Sequence, residues 1–486
     1  TIEDIAWMRD TATINGKHLE GNLFEVPKLH LDYVLAHFDA LANDAAKSSE
    51  TMRDDNKRFA SLPKVVKAKL NVDAAKSKAI SDKLIGVFFE DISYAADGGL
   101  YAELVQNRDF EYTSADHKGW SAITAWDSNA PIRIATENPL SKNNPHYAVI
   151  AADTLYNEGW EGIVDRGAAY DFSIYARNIS GEKKELCVAL VAEDGNVMAE
   201  GKLKIVGKEW QRYTLALNTA NKKRTKMYGD KAVNCRLVVA GKNDATVALD
   251  MISLFPHDTY KGHGLRKDLA EAIAELKPKF VRFPGGCMSH GQGVDNIYHW
   301  NHTIGPWQDR KPDKNIWNYH QTRGLGFYEY FQMCEDMGAE PLPVLAAGVP
   351  CQNSRANAEG YGGQQGGIPM SEMPAYCQEI LDMIEWANGD PATSKWAKMR
   401  ADAGHPAPFN LKYVGVGNED LISTDFEDRY LMICKAIKAK YPNIIVCGTV
   451  GPFHDPSSDY IEGWKFAKQH SDVIDMVDEL IIMLIY

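Results

Sequence analysis

Five apolar, β-branched runs, each closing on glycine or polar residues and each divided from the next by a different periodicity, constrain this chain more than any other feature. They lie at 84–91, 280–286, 341–348, 411–420 and 444–451, and a sixth apolar stretch covers 473–486. A continuous apolar run is how a strand buried on both faces reads, and polar groups collected at its C-terminal end mark the working face of a parallel barrel. The runs 265–276, 326–337, 373–387 and 426–440, most of them lying between those strands, repeat apolar residues at helical spacing. Strand and helix alternating in this way predict an α/β fold, a (β/α)8 TIM barrel of which about six strands are present.

Residues 113–256 break the rhythm. Short alternating runs at 170–176, 185–191 and 235–240, separated by Gly, Asn and Asp turns, predict an inserted all-β sandwich. The expected organisation is therefore a helical linker or tail of an upstream module over 1–65, and an isolated strand within 66–76 paired with a β-sandwich outside this sequence. The first part of the barrel then spans 77–112, the sandwich 113–256, and the rest of the barrel 257–486. The glycine-rich segment 360–367 reads as a mobile loop after the third strand, where a barrel makes its substrate contacts.

Charge narrows the function. With 53 Lys and Arg against 66 Asp and Glu, the formal charge is −13, which argues against an extended phosphate-binding surface and so against nucleic acid. No apolar run approaches the roughly 18 residues that cross a bilayer. Eight scattered cysteines match neither a zinc site nor a dense disulfide framework. Phosphate-loop, dinucleotide, zincin and serine-elbow motifs are absent.

The chemistry then falls on carboxylates at strand tips. Glu419, in Gly-Asn-Glu at the end of the fourth strand, is the candidate general acid, with Asn418 placed to hold a sugar hydroxyl. Glu90 and Asp91 end the first strand; the alternative for both is to cap the following turn. Arg282, in Val-Arg-Phe-Pro-Gly-Gly, is suited to orienting a carboxylate and equally to a salt bridge between barrel strands. Tyr298, Trp300, Trp307, Trp317 and Tyr319 fall after the second strand, where aromatic rings can face sugars or pack in the core.

Residues 88–111, Phe-Phe-Glu-Asp-Ile-Ser-Tyr-Ala-Ala-Asp-Gly-Gly-Leu-Tyr-Ala-Glu-Leu-Val-Gln-Asn-Arg-Asp-Phe-Glu, closely resemble the opening barrel motif of the α-L-arabinofuranosidases of glycoside hydrolase family 51. Val-Arg-Phe-Pro-Gly-Gly-Cys at 281–287, Thr-Ile-Gly-Pro at 303–306, Cys-Glu-Asp-Met-Gly-Ala-Glu-Pro at 334–341 and Val-Gly-Val-Gly-Asn-Glu-Asp at 414–420 extend the likeness in order. The resemblance implies exo-acting removal of arabinofuranosyl units from arabinan, arabinoxylan or their oligosaccharides, with retention. It implies that Glu419 is the acid/base, that Asn418 steadies the ring and Glu90 binds hydroxyls, and that Arg282 orients the nucleophile while Trp300 walls the pocket. No metal or cofactor is implied, and homo-oligomers occur among such enzymes.

The family's sixth strand reads Asp-Glu-His-Tyr-Tyr and its nucleophile Glu follows on a seventh; here the sixth reads Asp-Glu-Leu-Ile-Ile from 478. The expectation is a fragment that lacks the nucleophile and has little or no activity by itself. Residues 113–256 resemble carbohydrate-binding modules, through Asn-Glu-Gly-Trp-Glu-Gly-Ile at 157–163 and Trp210 with Tyr213. Trp120 and Trp160 there suit either glycan stacking or the sandwich core, and a glycan module favours a periplasmic or secreted protein. Two other readings stand beside this one: another retaining barrel glycosidase, such as an endoglucanase or xylanase, and a non-catalytic carbohydrate-binding protein.

Overall fold

A computed structural model describes residues 8–14, 17–23, 69, 71, 73, 76, 77, 79 and 81–479, apart from 353, 355–363, 365 and 453–457. Six strands form one parallel sheet in chain order: β1 (Val87–Phe88), β2 (Phe280–Phe283), β3 (Glu340–Leu345), β4 (Tyr413–Val416), β5 (Ile445–Thr449) and β6 (Met476–Asp478). Helices α1 (Lys267–Glu275), α2 (Phe327–Met337), α3 (Met373–Asn388), α4 (Lys395–Asp402), α5 (Thr424–Lys440) and α6 (Ser458–Gln469) return the chain between strands. Local signals set their ends: Ser423 caps α5 by accepting from the Phe426 amide, and left-handed Gly338 closes α2.

The sheet is strongly curled. Arg282 on β2 bonds Asp478 on β6 at 2.8 Å, although four strand spacings of about 4.8 Å would set them roughly 19 Å apart in a flat sheet. Curling brings the C-terminal strand tips together around one rim, the arrangement of an incomplete (β/α)8 barrel. Its core is large and apolar, with Phe283, Trp300, Phe327, Tyr330, Trp386 and Phe426 at 0–1% exposure. Each such side chain contributes about 1.5–3 kcal/mol by leaving water.

Between β1 and β2 sit two antiparallel sheets. One orders Gln211–Asn218, Ala169–Asn178, Val247–Pro256, Tyr147–Ile150 and Arg133–Ala135. The other is built around Val197–Ile205, Lys184–Ala192 and Val233–Gly241. Alternation along these strands sends Phe172, Ile174, Leu186, Val188, Leu237 and Leu254 into a shared core. Asn157 is wholly buried and ties this unit to the barrel segment, donating to the Gln106 carbonyl at 2.9 Å. Trp120 stacks on Tyr112 with ring centroids 4.6 Å apart, and Trp160 lies against Tyr94.

Two expectations need correction. The run 84–91 does not make a strand buried on both faces: only Val87–Phe88 is laddered, and Leu84, Ile85 and Phe88 are 65%, 57% and 52% exposed. The reason is position, since β1 is an edge and pairs among the described residues with β2 alone. Within the block 1–65, expected to be helical, Met8–Ile14 and Lys17–Leu23 form an antiparallel hairpin with Ile14 opposite Lys17. The Asn15-Gly16 dipeptide between them is a strong hairpin signal that the reading missed. The helical pattern after residue 27 lies outside the described residues, as do most of the strand expected at 66–72 and most of the loop 360–367.

Candidate active site

The strand tips bring four of the five candidate residues together. Arg282 leaves β2 with its guanidinium over the Phe88 ring at 4.6 Å, and its Nη2 donates to Asn418 Oδ1 at 2.6 Å. Its Nε donates to Asp478 Oδ2 at 2.9 Å. Of the two sequence readings of Arg282, the structure shows the salt bridge across the barrel, to Asp478, and adds a bond to the Asn418 amide.

Glu90 follows β1, and its Oε1 accepts the amides of Gly286 at 2.7 Å and Met288 at 3.2 Å. Burial raises its carboxyl above the usual range, opposed by those two amides and by Arg282, with Glu419 adding to the rise. Asp91 takes the capping role instead. It is buried, accepts the Ala96 amide at 3.0 Å and the Tyr319 hydroxyl at 3.1 Å, and burial pushes it up to about 6.

Glu419 stands one turn past β4 with φ +52°, a left-handed backbone that is uncommon for a residue with a side chain. Its neighbour makes that turn affordable. Asp420 is fully buried and its Oδ2 accepts the Asn418 amide at 2.8 Å, while Oδ1 accepts from Gln364 and lies 3.5 Å from His290 Nε2. Gln364 also accepts the Leu421 amide at 2.5 Å, so the loop after β3 is fastened to the turn that carries Glu419. The carboxylate itself receives the Gln352 amide at 2.6 Å on Oε2, with Cys287 Sγ 4.0 Å from the same oxygen.

Trp300 is not part of this cluster. It is wholly buried, its indole N–H donates to the Glu379 carbonyl at 2.8 Å, and it packs against Trp386, Trp396 and Phe327. An amphipathic ring whose polar edge finds a backbone acceptor is satisfied in a core, and Trp300 has no exposed surface. The sequence reading had assigned no site role to Asp478, Gln352, Gln364 or Asp420. Asp478 was open to inference, because an arginine inside a barrel demands an acceptor from another strand tip; loop glutamines carry no such signal.

Asp420 supplies a test through pH. Its ordinary value of 3.8 is raised by burial to about 6, opposed chiefly by His290. The folded protein therefore holds this proton more tightly, a stabilisation complete below pH 3.8 and lost as pH rises through about 6. An Asp420→Asn variant lacks that loss. Thermal melts at about pH 4 and pH 7 should show the variant gaining on the wild type by up to roughly 3 kcal/mol between them; a constant difference would contradict the assignment.

The chain as a whole is similar to known proteins. The family model described as the alpha-L-arabinofuranosidase 1 domain matches residues 272–479. The chain is 41% identical to an extracellular exo-alpha-L-arabinofuranosidase of Streptomyces chartreusis, over 84% of this chain and 48% of that protein. It is 33% identical to alpha-L-arabinofuranosidase 1 of Arabidopsis thaliana, over 81% of this chain and 58% of that protein. Among solved structures, the arabinose-bound α-L-arabinofuranosidase MgGH51 superposes with a TM-score of 0.66 at 33% identity, covering 76% of this chain and 58% of that one. Over the residues compared, the chain is similar to α-L-arabinofuranosidases, the solved structure among them one of glycoside hydrolase family 51. It spans about half the length of the curated relatives it matches.

Proposed function

We propose that the protein removes non-reducing terminal α-L-arabinofuranosyl residues from arabinan, arabinoxylan or their oligosaccharides, with retention of configuration. The observation that carries this reading is the meeting of Asn418 and Glu419 with Arg282 and Glu90 at one end of a curled parallel sheet. Glu419 is the acid/base: it gives a proton to the departing glycosidic oxygen and then takes one from the attacking water. Asn418, held by Arg282, bonds a ring hydroxyl, and Glu90 accepts from another. Arg282 keeps its place at the rim through Asp478. Retention requires a second carboxylate about 5 to 5.5 Å from Glu419, and no residue is assigned to that role.

Export to the cell exterior or periplasm fits a polymer substrate, and the Streptomyces chartreusis relative is named extracellular. No helix among the described residues is long and apolar enough to cross a membrane. The direct test is hydrolysis of 4-nitrophenyl α-L-arabinofuranoside beside xylan and cellulose by the gene's whole product. The proposal expects release of 4-nitrophenol and no backbone cleavage, whereas xylan or cellulose depolymerisation without arabinose release would reject it.

Gly286 gives a second, sharper test. A Cβ there would stand 2.6 Å from Asn418 Oδ1, and Asn418 is already fixed by Arg282. Gly286→Ala should therefore push Asn418 off its position and lower kcat/KM by roughly 100-fold, the scale for a displacement near 1 Å. Steady-state kinetics with a melting control would show it; an unchanged kcat/KM in a folded variant removes Asn418 from the substrate contacts.

A further inference from the structure

Away from the strand tips, the sandwich and the barrel enclose a second cleft of about 730 Å³ whose lining includes none of Glu90, Arg282, Asn418 or Glu419. Its floor is the outer face of the five-stranded sheet. Strand register puts Thr214 opposite Ser173 and Ser173 opposite Ser253, so three hydroxyl residues stand in one row across three strands. Arg212 lies opposite Tyr175 in the adjoining row. Alternation leaves Arg212, Thr214 and Ala216 exposed while Phe172, Ile174 and Leu217 enter the core.

A β-bulge builds this floor. The register breaks between Asp250 and Ser253, where Met251 takes φ +46°. One extra residue shifts the alternation, so Ser253 and Phe255 face the cleft while Ile252 and Leu254 are wholly buried. The opposite wall comes from the barrel, with Trp307, Tyr328 and Gln332. A side pocket of about 280 Å³ shares Ser173, Arg212, Ser253 and Trp307 with the cleft and adds Met251 and Gln308.

Fixed charges around the cleft are largely satisfied within the protein. Asp171 pairs with His257 at 2.9 Å, Glu329 with Arg310 at 2.8 Å, and His263 with Asp336 at 2.7 Å. Among the described residues Arg212 makes no ion pair. The Ser253 hydroxyl donates to Glu103 at 2.5 Å, the Gln332 amide donates to Glu335 at 3.2 Å, and Trp307 is stacked on Phe255 with Arg108 over its ring, so what remains on offer is the Ser173 and Thr214 hydroxyls, the Tyr328 ring and one guanidinium. That mixture suits a ligand with many hydroxyl groups and apolar C–H faces, and the volume lies in the range of small-ligand sites.

We propose that this cleft is a second oligosaccharide-binding site, independent of the carboxylate cluster and of any turnover there. Neutral sugar chains are the ligand class, their hydroxyls meeting Ser173, Thr214 and Arg212 and their ring faces lying against Tyr328. The site does not rest on the catalytic reading, and its test needs no hydrolysis.

Isothermal titration of arabinohexaose and, in parallel, xylohexaose into the full chain tests it, with melting curves confirming that each variant folds. Thr214→Trp, at an exposed position, fills the cleft; Asn418→Ala disables the strand-tip cluster. Binding of either sugar should weaken about tenfold or more in Thr214→Trp and change less than about twofold in Asn418→Ala. Arg212→Ala should weaken it by a smaller factor. Binding lost in Asn418→Ala and kept in Thr214→Trp would overturn the proposal, as would no binding of either sugar to the wild-type chain at about 1 mM.

Discussion

Exchanging Glu419 for Gln is expected to lower kcat on natural arabinosides by roughly 10²- to 10⁴-fold, the usual share of general acid–base catalysis, without loss of fold. Gln is nearly isosteric, and its carbonyl can still accept the Gln352 amide that reaches Oε2 at 2.6 Å. What it cannot do is give up a proton to the leaving oxygen. The loss should therefore depend on the leaving group, severe for a sugar alcohol and much milder for a nitrophenol that departs without protonation. Kinetics on both substrate types would check this. An equal loss on the two would mean that Glu419 binds or positions rather than protonates.

Removing Asp165 should be the costliest single change to stability in the inserted sandwich. Its carboxylate is fully buried and accepts from Arg224 Nε at 2.8 Å, Thr219 Oγ1 at 2.5 Å, Tyr170 at 2.9 Å and the Gly167 amide at 3.1 Å. Arg224 in turn spans to the carbonyls of Gly229 and Lys231. Asp165→Ala leaves the guanidinium, 4% exposed, without its counter-charge. The expected cost is about 3–5 kcal/mol, a melting shift on the order of 10 °C for a unit of this size. Differential scanning calorimetry would measure it, and a shift under about 2 °C would show that water or backbone replaces the carboxylate. The cleft floored by Ser173 belongs to the same unit, so sugar binding there should fall with its melting.

The parallel strands and four of the helices were legible because their signals are local. Residues 341–348 read as a doubly buried strand and Glu340–Leu345 forms β3, while the pattern at 326–337 returns as α2, Phe327–Met337. Neighbour-dependent features were not legible. Phe88 looks like a core residue in sequence and is half exposed because β1 is an edge. Trp300 looks like a pocket wall and is core, because its N–H finds the Glu379 carbonyl about 80 residues downstream. Glu90, Asn418 and Glu419 were readable from their place at strand tips. That Arg282 needs an acceptor at another strand tip was open to inference, but Gln364 was not readable, because what makes it matter is the loop contact that buries it against Asp420.

The account stands on Glu419 acting at an arabinofuranosyl bond with retention, and product stereochemistry reaches that claim most directly. Proton NMR of the first sugar released from methyl α-L-arabinofuranoside, whose leaving alcohol needs a proton, by the gene's whole product, recorded before mutarotation, should show the α anomer, with roughly 10²- to 10⁴-fold less formed by the Glu419→Ala variant in the same interval. The β anomer as first product, or undiminished release by that variant, would contradict it.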